Sequence, residues 1–130
     1  MLPSQASSDT IVVADDNADL ADTLAWCLRM EGYETVIAYD GRQAVAAARA
    51  AQAKIVILDL AMPQLDGYAA AREIRALLGP DVLIIAHTAW GDGLARQRTR
   101  EAGFDHHLVK TTDLRVLLEL LAARGEPPLH

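Results

Sequence analysis

Acidic side chains stand at two places in the chain where an apolar run ends. Asp15 and Asp16 follow the run Thr10–Ala14 (TIVVA), and Asp59 follows residues 54–58 (KIVIL). Packing gives no reason to end a buried run in a charge, whereas open α/β sheets hold their ligands at the carboxyl ends of strands. We therefore predict that Asp59 is a nucleophile and that other polar residues hold or charge it.

Two more polar side chains follow apolar runs further along the chain. Thr88 comes after residues 82–86 (VLIIA), and Lys110 comes after residues 104–109. A lysine and a hydroxyl suit the oxygens of a phosphoryl group. Three carboxylates at one edge would repel each other, and a hard cation such as Mg²⁺ or Mn²⁺, which prefers oxygen ligands, would relieve this repulsion. The set predicts a phosphoryl-transfer site with an aspartyl phosphate on Asp59.

The elements that must position these residues alternate regularly between strand and helix. Strands are predicted over residues 10–14, 34–39, 54–59, 82–86 and 104–109, and helices over residues 18–31, 42–52, 67–78, 94–102 and 114–123. Uninterrupted apolar strands indicate a parallel sheet buried on both faces. Right-handed crossovers then give a three-layer α/β/α sandwich whose strands all end at one edge. The weakest helix pattern is that of residues 94–102, which are nearly all polar.

Length, charge and cysteine content narrow the class of protein. The chain has 130 residues, and we expect a disordered leader at residues 1–9, one domain at residues 10–124 and a flexible tail at residues 125–130. A net charge of −6 argues against a nucleic-acid-binding surface. No apolar run reaches the length of a membrane span, and the start of the chain does not resemble a signal peptide. The single cysteine, Cys27, fits a reducing cytoplasm.

Two other functions could be carried by a chain of this predicted fold. A flavodoxin-like module that binds FMN would need a loop rich in serine, threonine and glycine after the first strand, where Asp15 and Asp16 would instead repel a phosphate. An aspartate-nucleophile phosphatase would carry its nucleophile after the first strand, with a second acid two residues on. Asp59 stands alone after the third strand, which disfavours this reading too.

Four motifs follow the predicted strands in order. They are the pair Asp15–Asp16, LDLAMPQLDG from residue 58, HTA from residue 87 and AGFDHHLVK from residue 102. With them, the chain resembles a response-regulator receiver domain of two-component signalling over residues 10–123. The last motif is similar to receivers attached to hybrid histidine kinases. Whether the chain acts alone or as part of a longer protein stays open, as do its cognate kinase and its output.

The resemblance implies a flavodoxin-like fold with the sheet order 2-1-3-4-5. It implies that Asp59 takes a phosphoryl group from a phosphohistidine on a histidine kinase or a histidine phosphotransfer protein. Asp15, Asp16, Asp59 and the backbone carbonyl of Ala61 would hold the metal ion. The domain would be a signalling switch, catalysing only its own phosphorylation and dephosphorylation.

The same resemblance assigns roles to residues beyond the metal site. Lys110 would pair with Asp59 or with the phosphoryl group, and Thr88 would swing in to contact a phosphoryl oxygen. His107 falls at the position of an aromatic switch residue. Trp26 on the first helix, where receivers dock the phosphodonor, and Trp90 after the Thr88 loop are candidate partner-docking residues, since tryptophan is enriched at interface hot spots.

One departure from the family concerns the residue after Lys110. Receivers usually have a proline there, often after a cis bond, whereas this chain has Thr111. A cis bond costs about 2.5–4 kcal/mol before a residue other than proline, against about 0.5–1 kcal/mol before proline. Either the bond is trans and the loop is rebuilt, or the fold supplies the strain energy. In either case, the sequence does not determine whether the Lys110 side chain is directed at Asp59.

Overall fold

A computed structural model describes residues 9–123, which form five strands and five helices in strict alternation. In chain order they are β1 (Thr10–Ala14), α1 (Ala18–Met30), β2 (Glu34–Ala38), α2 (Gly41–Ala51), β3 (Ile55–Leu58), α3 (Gly67–Leu78), β4 (Leu83–Thr88), α4 (Gly93–Ala102), β5 (His106–Val109) and α5 (Leu114–Ala122). The strands are all parallel and follow the order β2-β1-β3-β4-β5, which confirms the predicted fold. Within the described residues, none of the helices is long and apolar enough to cross a membrane.

The central strands are buried on both faces of the sheet because their side chains are apolar without interruption. All four residues of β3 are buried, and they belong alternately to two apolar clusters. One cluster packs the sheet against α2 and α3, and the other packs it against α1 and α5. Leu58, the last residue of β3, pairs with Ala14, the last residue of β1, and with Ala86 of β4, so β1 and β3 end level while β4 continues for two more residues. This register brings Asp15 and Asp59 together.

Several element boundaries differ from the sequence prediction. The strand β4 continues through His87 and Thr88, because these two residues pair with Leu108 and Val109 of β5. The sequence does not reveal this continuation, because the side chains of His87 and Thr88 are polar. The strand β5 is shorter than predicted and begins at His106. The polar helix predicted near residue 94 is present as α4.

The domain ends stay predictions. Residues 1–8 of the expected leader and all of the expected tail at residues 125–130 lie outside the described part of the chain. The boundaries of 10–124 for the domain are therefore not tested at either end.

Candidate functional site

Asp15 and Asp59 face the same lysine at the carboxyl edge of the sheet. The ammonium nitrogen of Lys110 lies 2.9 Å from Asp15 Oδ2 and 3.0 Å from Asp59 Oδ2. Both aspartates are almost fully buried, with 4% and 5% of their surface exposed. One cation therefore bridges two buried carboxylates. It reduces the electrostatic repulsion between them but does not remove it.

Each of these aspartates divides its two oxygens between the local backbone and the lysine. Asp15 Oδ1 accepts a hydrogen bond from the Asn17 N–H at 2.9 Å, and Asp59 Oδ1 accepts one from the Leu60 N–H at 2.7 Å. Asn17 in turn caps α1, because its side chain accepts the Leu20 N–H at 3.2 Å. The strand ends thus fix both carboxylates, and Oδ2 of each faces Lys110.

The loop after Asp59 is held against the strand end by the start of α3. The Gly67 N–H donates to the Leu60 carbonyl at 2.9 Å, and Asp66 caps the helix by accepting the Ala69 N–H at 2.9 Å. A Cβ atom on Gly67 would lie 2.2 Å from the Asp59 carbonyl oxygen, so only glycine permits this approach. Gly67 is a supporting residue, which the sequence analysis included only as the first residue of the predicted helix over residues 67–78. A glycine at the first position of a helix, where it lowers helix propensity, was the available signal.

Three carboxylates at this edge have the geometry of a divalent-cation site. One oxygen each from Asp15, Asp16 and Asp59 lies within 4.8 Å of the others. Asp16 is exposed, whereas the other two are buried. An all-oxygen donor set that is open to water on one side fits Mg²⁺, which binds one or two carboxylates and keeps several waters. A contribution of the backbone carbonyl of Ala61 to this site stays a prediction.

Burial dominates the ionisation of the site. It raises the pKa of Asp59; Lys110 and the Leu60 N–H lower this pKa, while the charge of Asp15 raises it further, and the net direction is upward. Burial alone would lower the pKa of Lys110, but its hydrogen bonds to Asp15 and Asp59 outweigh burial and raise it. The pairing stabilises the charged form of Lys110, whereas it does not fully offset the cost of burying the charged form of Asp59, because one ammonium group is shared by two carboxylates. The site is thus short of positive charge.

The hydroxyl of Thr88 lies on the neighbouring strand and is hydrogen-bonded to the loop that follows this strand. Thr88 is 1% exposed, and its Oγ1 accepts the Trp90 N–H at 3.2 Å. Its carbonyl accepts the Lys110 N–H at 2.8 Å, which fixes the two strand ends together. The predicted contact of Thr88 with a phosphoryl group would use the O–H of this side chain as donor, whereas its oxygen now accepts the Trp90 N–H.

His107 connects the loop after β4 to α4. Its Nε2 donates to the Trp90 carbonyl at 2.6 Å, and its Nδ1 lies 3.0 Å from Thr99 Oγ1. The backbone of Trp90 is therefore held at both ends, by Thr88 at its N–H and by His107 at its carbonyl. The neighbouring His106 is exposed.

The two tryptophans lie at separate places on the surface. Trp26 is 61% exposed on α1, beside the 69% exposed Met30 one turn later, and Trp90 is 46% exposed. A cavity of about 190 Å³ lies between α1 and α5, and its lining includes Cys27, His87 and Lys110. Burial lowers the pKa of His87, and the charge of Lys110 lowers it further. The docking roles of both tryptophans stay predictions.

The residue after Lys110 is accommodated without a cis bond. No peptide bond between residues 9 and 123 is cis, so the bond from Lys110 to Thr111 is trans. A turn closed by the Thr112 N–H on the Val109 carbonyl, at 2.9 Å, carries the chain from β5 towards α5. Of the two alternatives left open by the sequence, the rebuilt trans loop is the one found, and Lys110 still reaches Asp59.

The sequence matches known proteins along nearly the whole domain. The family model of the response regulator receiver domain matches residues 11–122. A probable transcriptional regulator ycf27 of Cyanophora paradoxa is 36% identical over 121 residues, which cover 91% of this chain and 50% of that protein. The DNA-binding response regulator MtrA of Mycobacterium tuberculosis is 34% identical over 114 residues, covering 88% and 49%. The chain thus spans about half the length of these curated relatives.

A solved structure agrees with both the fold and the acidic site. The receiver domain of a sensor histidine kinase from Pseudomonas aeruginosa superposes with a TM-score of 0.82 at 33% identity, covering 90% of this chain and 97% of that one. That crystal structure has a magnesium ion coordinated in its active-site cleft. On the family match, the strand order and the acidic edge together, this chain belongs to the response regulator receiver domains.

Proposed function

We propose that this domain accepts a phosphoryl group on Asp59 from a phosphohistidine and thereby switches its surface. The donor would be a histidine kinase or a histidine phosphotransfer protein. The observation that carries the proposal is the placement of Lys110 Nζ 3.0 Å from Asp59, with a second buried carboxylate, Asp15, on its other side. This arrangement supplies a nucleophile, a cation for phosphoryl oxygens and the ligands for a divalent ion.

Transfer would proceed by displacement at phosphorus. A carboxylate oxygen of Asp59 forms the new oxygen–phosphorus bond while the bond from phosphorus to the imidazole nitrogen of the donor breaks, and the histidine leaves. A bound Mg²⁺ or Mn²⁺ would neutralise charge on the carboxylates and the phosphoryl oxygens. Asp15 and Asp16 would hold it together with Asp59 and the carbonyl of Ala61. Lys110 would move its hydrogen bond from Asp59 to a phosphoryl oxygen.

The switch would begin at Thr88. Thr88 would donate its O–H to a phosphoryl oxygen on Asp59, and the rotation of its side chain towards that oxygen would withdraw Oγ1 from the Trp90 N–H that it now accepts. Release of that amide leaves the backbone of Trp90 held by His107 alone. The loop after β4, the His107 ring and α4 are then free to change together, as expected for a two-state signalling surface.

The donor would approach over α1. Trp26 and Met30 form an exposed apolar pair on this helix, and a partner helix could bury both. As part of the same proposal, the domain works in the cytoplasm, where its single cysteine stays reduced. Its only chemistry would be its own phosphorylation and dephosphorylation, because it acts as a switch for a downstream partner.

Covalent labelling tests this proposal. The protein is incubated with acetyl phosphate with and without Mg²⁺, and its mass is measured. We expect one phosphoryl group per chain, only with the metal ion, and none in the Asp59→Asn variant. Asp81→Asn removes an exposed aspartate and serves as the matched control, which should be labelled like the wild type. Labelling that survives in Asp59→Asn would refute the assignment.

A further inference from the structure

The cavity between α1 and α5 has the size and the lining of a small-ligand site. Its volume is about 190 Å³, and its wall is mostly apolar, with leucine side chains at Leu20, Leu24, Leu108, Leu114 and Leu117. An apolar cavity of about 150 Å³ in a protein core is large enough to bind benzene. The cavity between α1 and α5 therefore has room for one aromatic ring with one or two additional heavy atoms.

One residue of the lining, His87, has hydrogen-bonding groups that the protein does not use. Side chains alternate along β4, so His87 lies on the same face of the sheet as Ile85, which belongs to the apolar cluster with α1 and α5. Within residues 9–123, the ring of His87 takes part in no hydrogen bond. Burial lowers the pKa of this ring, and a neutral imidazole offers one donor and one acceptor. A ligand with a hydroxyl or an N–H group would bond to it, whereas a hydrocarbon would only displace its water.

The charges around the cavity favour an uncharged ligand. The ammonium group of Lys110, which also lines the cavity, lies 2.9 Å from Asp15 and 3.0 Å from Asp59. Asp113, at the start of α5, accepts the backbone N–H of Arg115 at 2.9 Å and its guanidinium at 3.2 Å. Both charged residues of the lining therefore have partners already, and an anion in the cavity would in addition be repelled by three carboxylates nearby.

We propose that this cavity binds a small, uncharged aromatic molecule that carries one hydroxyl or ring N–H group, such as a phenol or an indole. The ring would pack among the leucine side chains, and the polar group would hydrogen-bond to His87. A free small molecule fits better than a partner helix, because the cavity has room for a single ring. Since Lys110 lines the cavity and reaches Asp59, an occupant should also slow phosphorylation, and this effect rests on the proposed function.

Phenol is the probe, and toluene, which has the same shape without the hydroxyl, is its matched control. The isotope-labelled domain is titrated with each compound while backbone amide shifts are recorded. We expect phenol to bind with a dissociation constant of about 1 mM or below, with shifts centred on Leu24, Cys27, His87 and Leu117. Toluene should bind roughly tenfold more weakly, because it leaves the His87 ring without a partner. Shifts centred elsewhere, or equal affinity for the two compounds, would refute the proposal.

Substitution of His87 provides the decisive comparison. His87→Leu should weaken phenol binding by roughly tenfold and remove the preference over toluene. His106→Leu, which makes the same change at an exposed histidine on β5, should leave phenol binding nearly unchanged. Both variants are first checked for native circular dichroism, and equal phenol affinities of the two would overturn the proposal. Tighter binding of a short tyrosine-containing peptide than of phenol would also overturn it, because the cavity would then fit a side chain of a partner protein.

A second pair of variants blocks the cavity without touching His87. Cys27→Phe places a ring against the cavity and should abolish the binding of both compounds, whereas Cys27→Ala leaves the space open and should bind phenol like the wild type. Full binding in a natively folded Cys27→Phe variant would show that phenol binds elsewhere.

Acetyl phosphate labelling separates this proposal from the one beneath it. Saturating phenol should slow the labelling of Asp59 by roughly fivefold in the wild type and have no effect in Cys27→Phe. Phenol binding without any change in labelling would refute the coupling to Lys110 and leave the ligand site. Failure of labelling in the wild type, with phenol still bound in the cavity, would refute phosphoryl acceptance and leave the ligand site intact.

Discussion

Lys110 Nζ lies 3.0 Å from Asp59 Oδ2 although a threonine follows this lysine in the chain. The backbone hydrogen bond from the Lys110 N–H to the Thr88 carbonyl, at 2.8 Å, fixes where the side chain starts. The carboxylates of Asp15 and Asp59 then fix where it ends. The aim of the lysine is therefore set by β4 and by two buried acids, and the following residue affects it only through the turn.

Removing the lysine should destabilise the domain when no divalent ion is present. Lys110→Ala leaves Asp15 and Asp59 without their shared cation. We expect a loss of about 1.5 kcal/mol in the free energy of unfolding, at the low end for hydrogen bonds to charged groups because the lysine side chain is partly exposed. Urea denaturation measures this loss, and Mg²⁺ should restore part of it. Lys54→Ala, which truncates an exposed lysine, is the control. Equal stabilities of the two variants would contradict the bridging role.

Neutralising Asp59 should have the opposite effect on stability. Because the folded protein raises the pKa of this carboxyl, ionising Asp59 costs folding free energy. The cost is absent below the ordinary carboxyl pKa of 3.8 and grows as the pH rises through the folded pKa. We therefore expect Asp59→Asn to melt a few degrees higher than the wild type at neutral pH without metal ions, as about 1 kcal/mol would produce. The difference should shrink towards acidic pH. A melting temperature of Asp59→Asn below that of the wild type at neutral pH would contradict the prediction.

The turn after β5 gives a prediction about Thr111→Pro. Thr111 is the third residue of the turn that the Thr112 N–H closes on Val109. Proline at this position pushes the preceding residue, here Lys110, out of the helical backbone region. We expect a loss of about 1 kcal/mol in stability, or a change in the rate of labelling by acetyl phosphate. Thr111→Ala should change neither, and a proline variant equal to the wild type in both would show that the loop tolerates both residues.

Arg75 joins three parts of the fold that the sequence does not connect. Its guanidinium donates to the carbonyls of Val82 and Gly103 and to the carboxylate of Asp105. Arg75→Ala should lower the free energy of unfolding by roughly 2–4 kcal/mol, because several partly buried acceptors lose their donor at once. Arg72→Ala, on the exposed side of the same helix, should stay within about 0.5 kcal/mol of the wild type. Chemical denaturation of both variants measures these free energies of unfolding, and equal losses in the two variants would contradict the prediction.

The arrangement of the acidic edge was predictable because it follows from topology. Once five apolar strands are parallel, their carboxyl ends share one edge, and Asp15, Asp59 and Lys110 must meet there. The continuation of β4 through Thr88 was missed because two polar residues interrupt the apolar pattern, while the pairing that extends the strand depends on β5. Local sequence carries no information about such a partner.

Contacts that join distant segments were beyond sequence reasoning. The acceptors of Arg75 include the carbonyl of Gly103, 28 residues away, and a backbone carbonyl has no sequence signature. The resemblance to the receiver family identified His107 as a switch position. Its two hydrogen bonds, to Trp90 and Thr99, could be found only from the structure.

Because two hydrogen bonds hold the backbone of Trp90, the fluorescence of this residue should report on the state of the domain. The backbone of this residue is bonded to Thr88 and His107, and its indole is 46% exposed, so a rearrangement at either side changes the solvent around a fluorophore. The chain has only one other tryptophan, Trp26, on α1. In a Trp26→Phe background, the emission of Trp90 alone would follow the state of Asp59 in real time, without any attached dye.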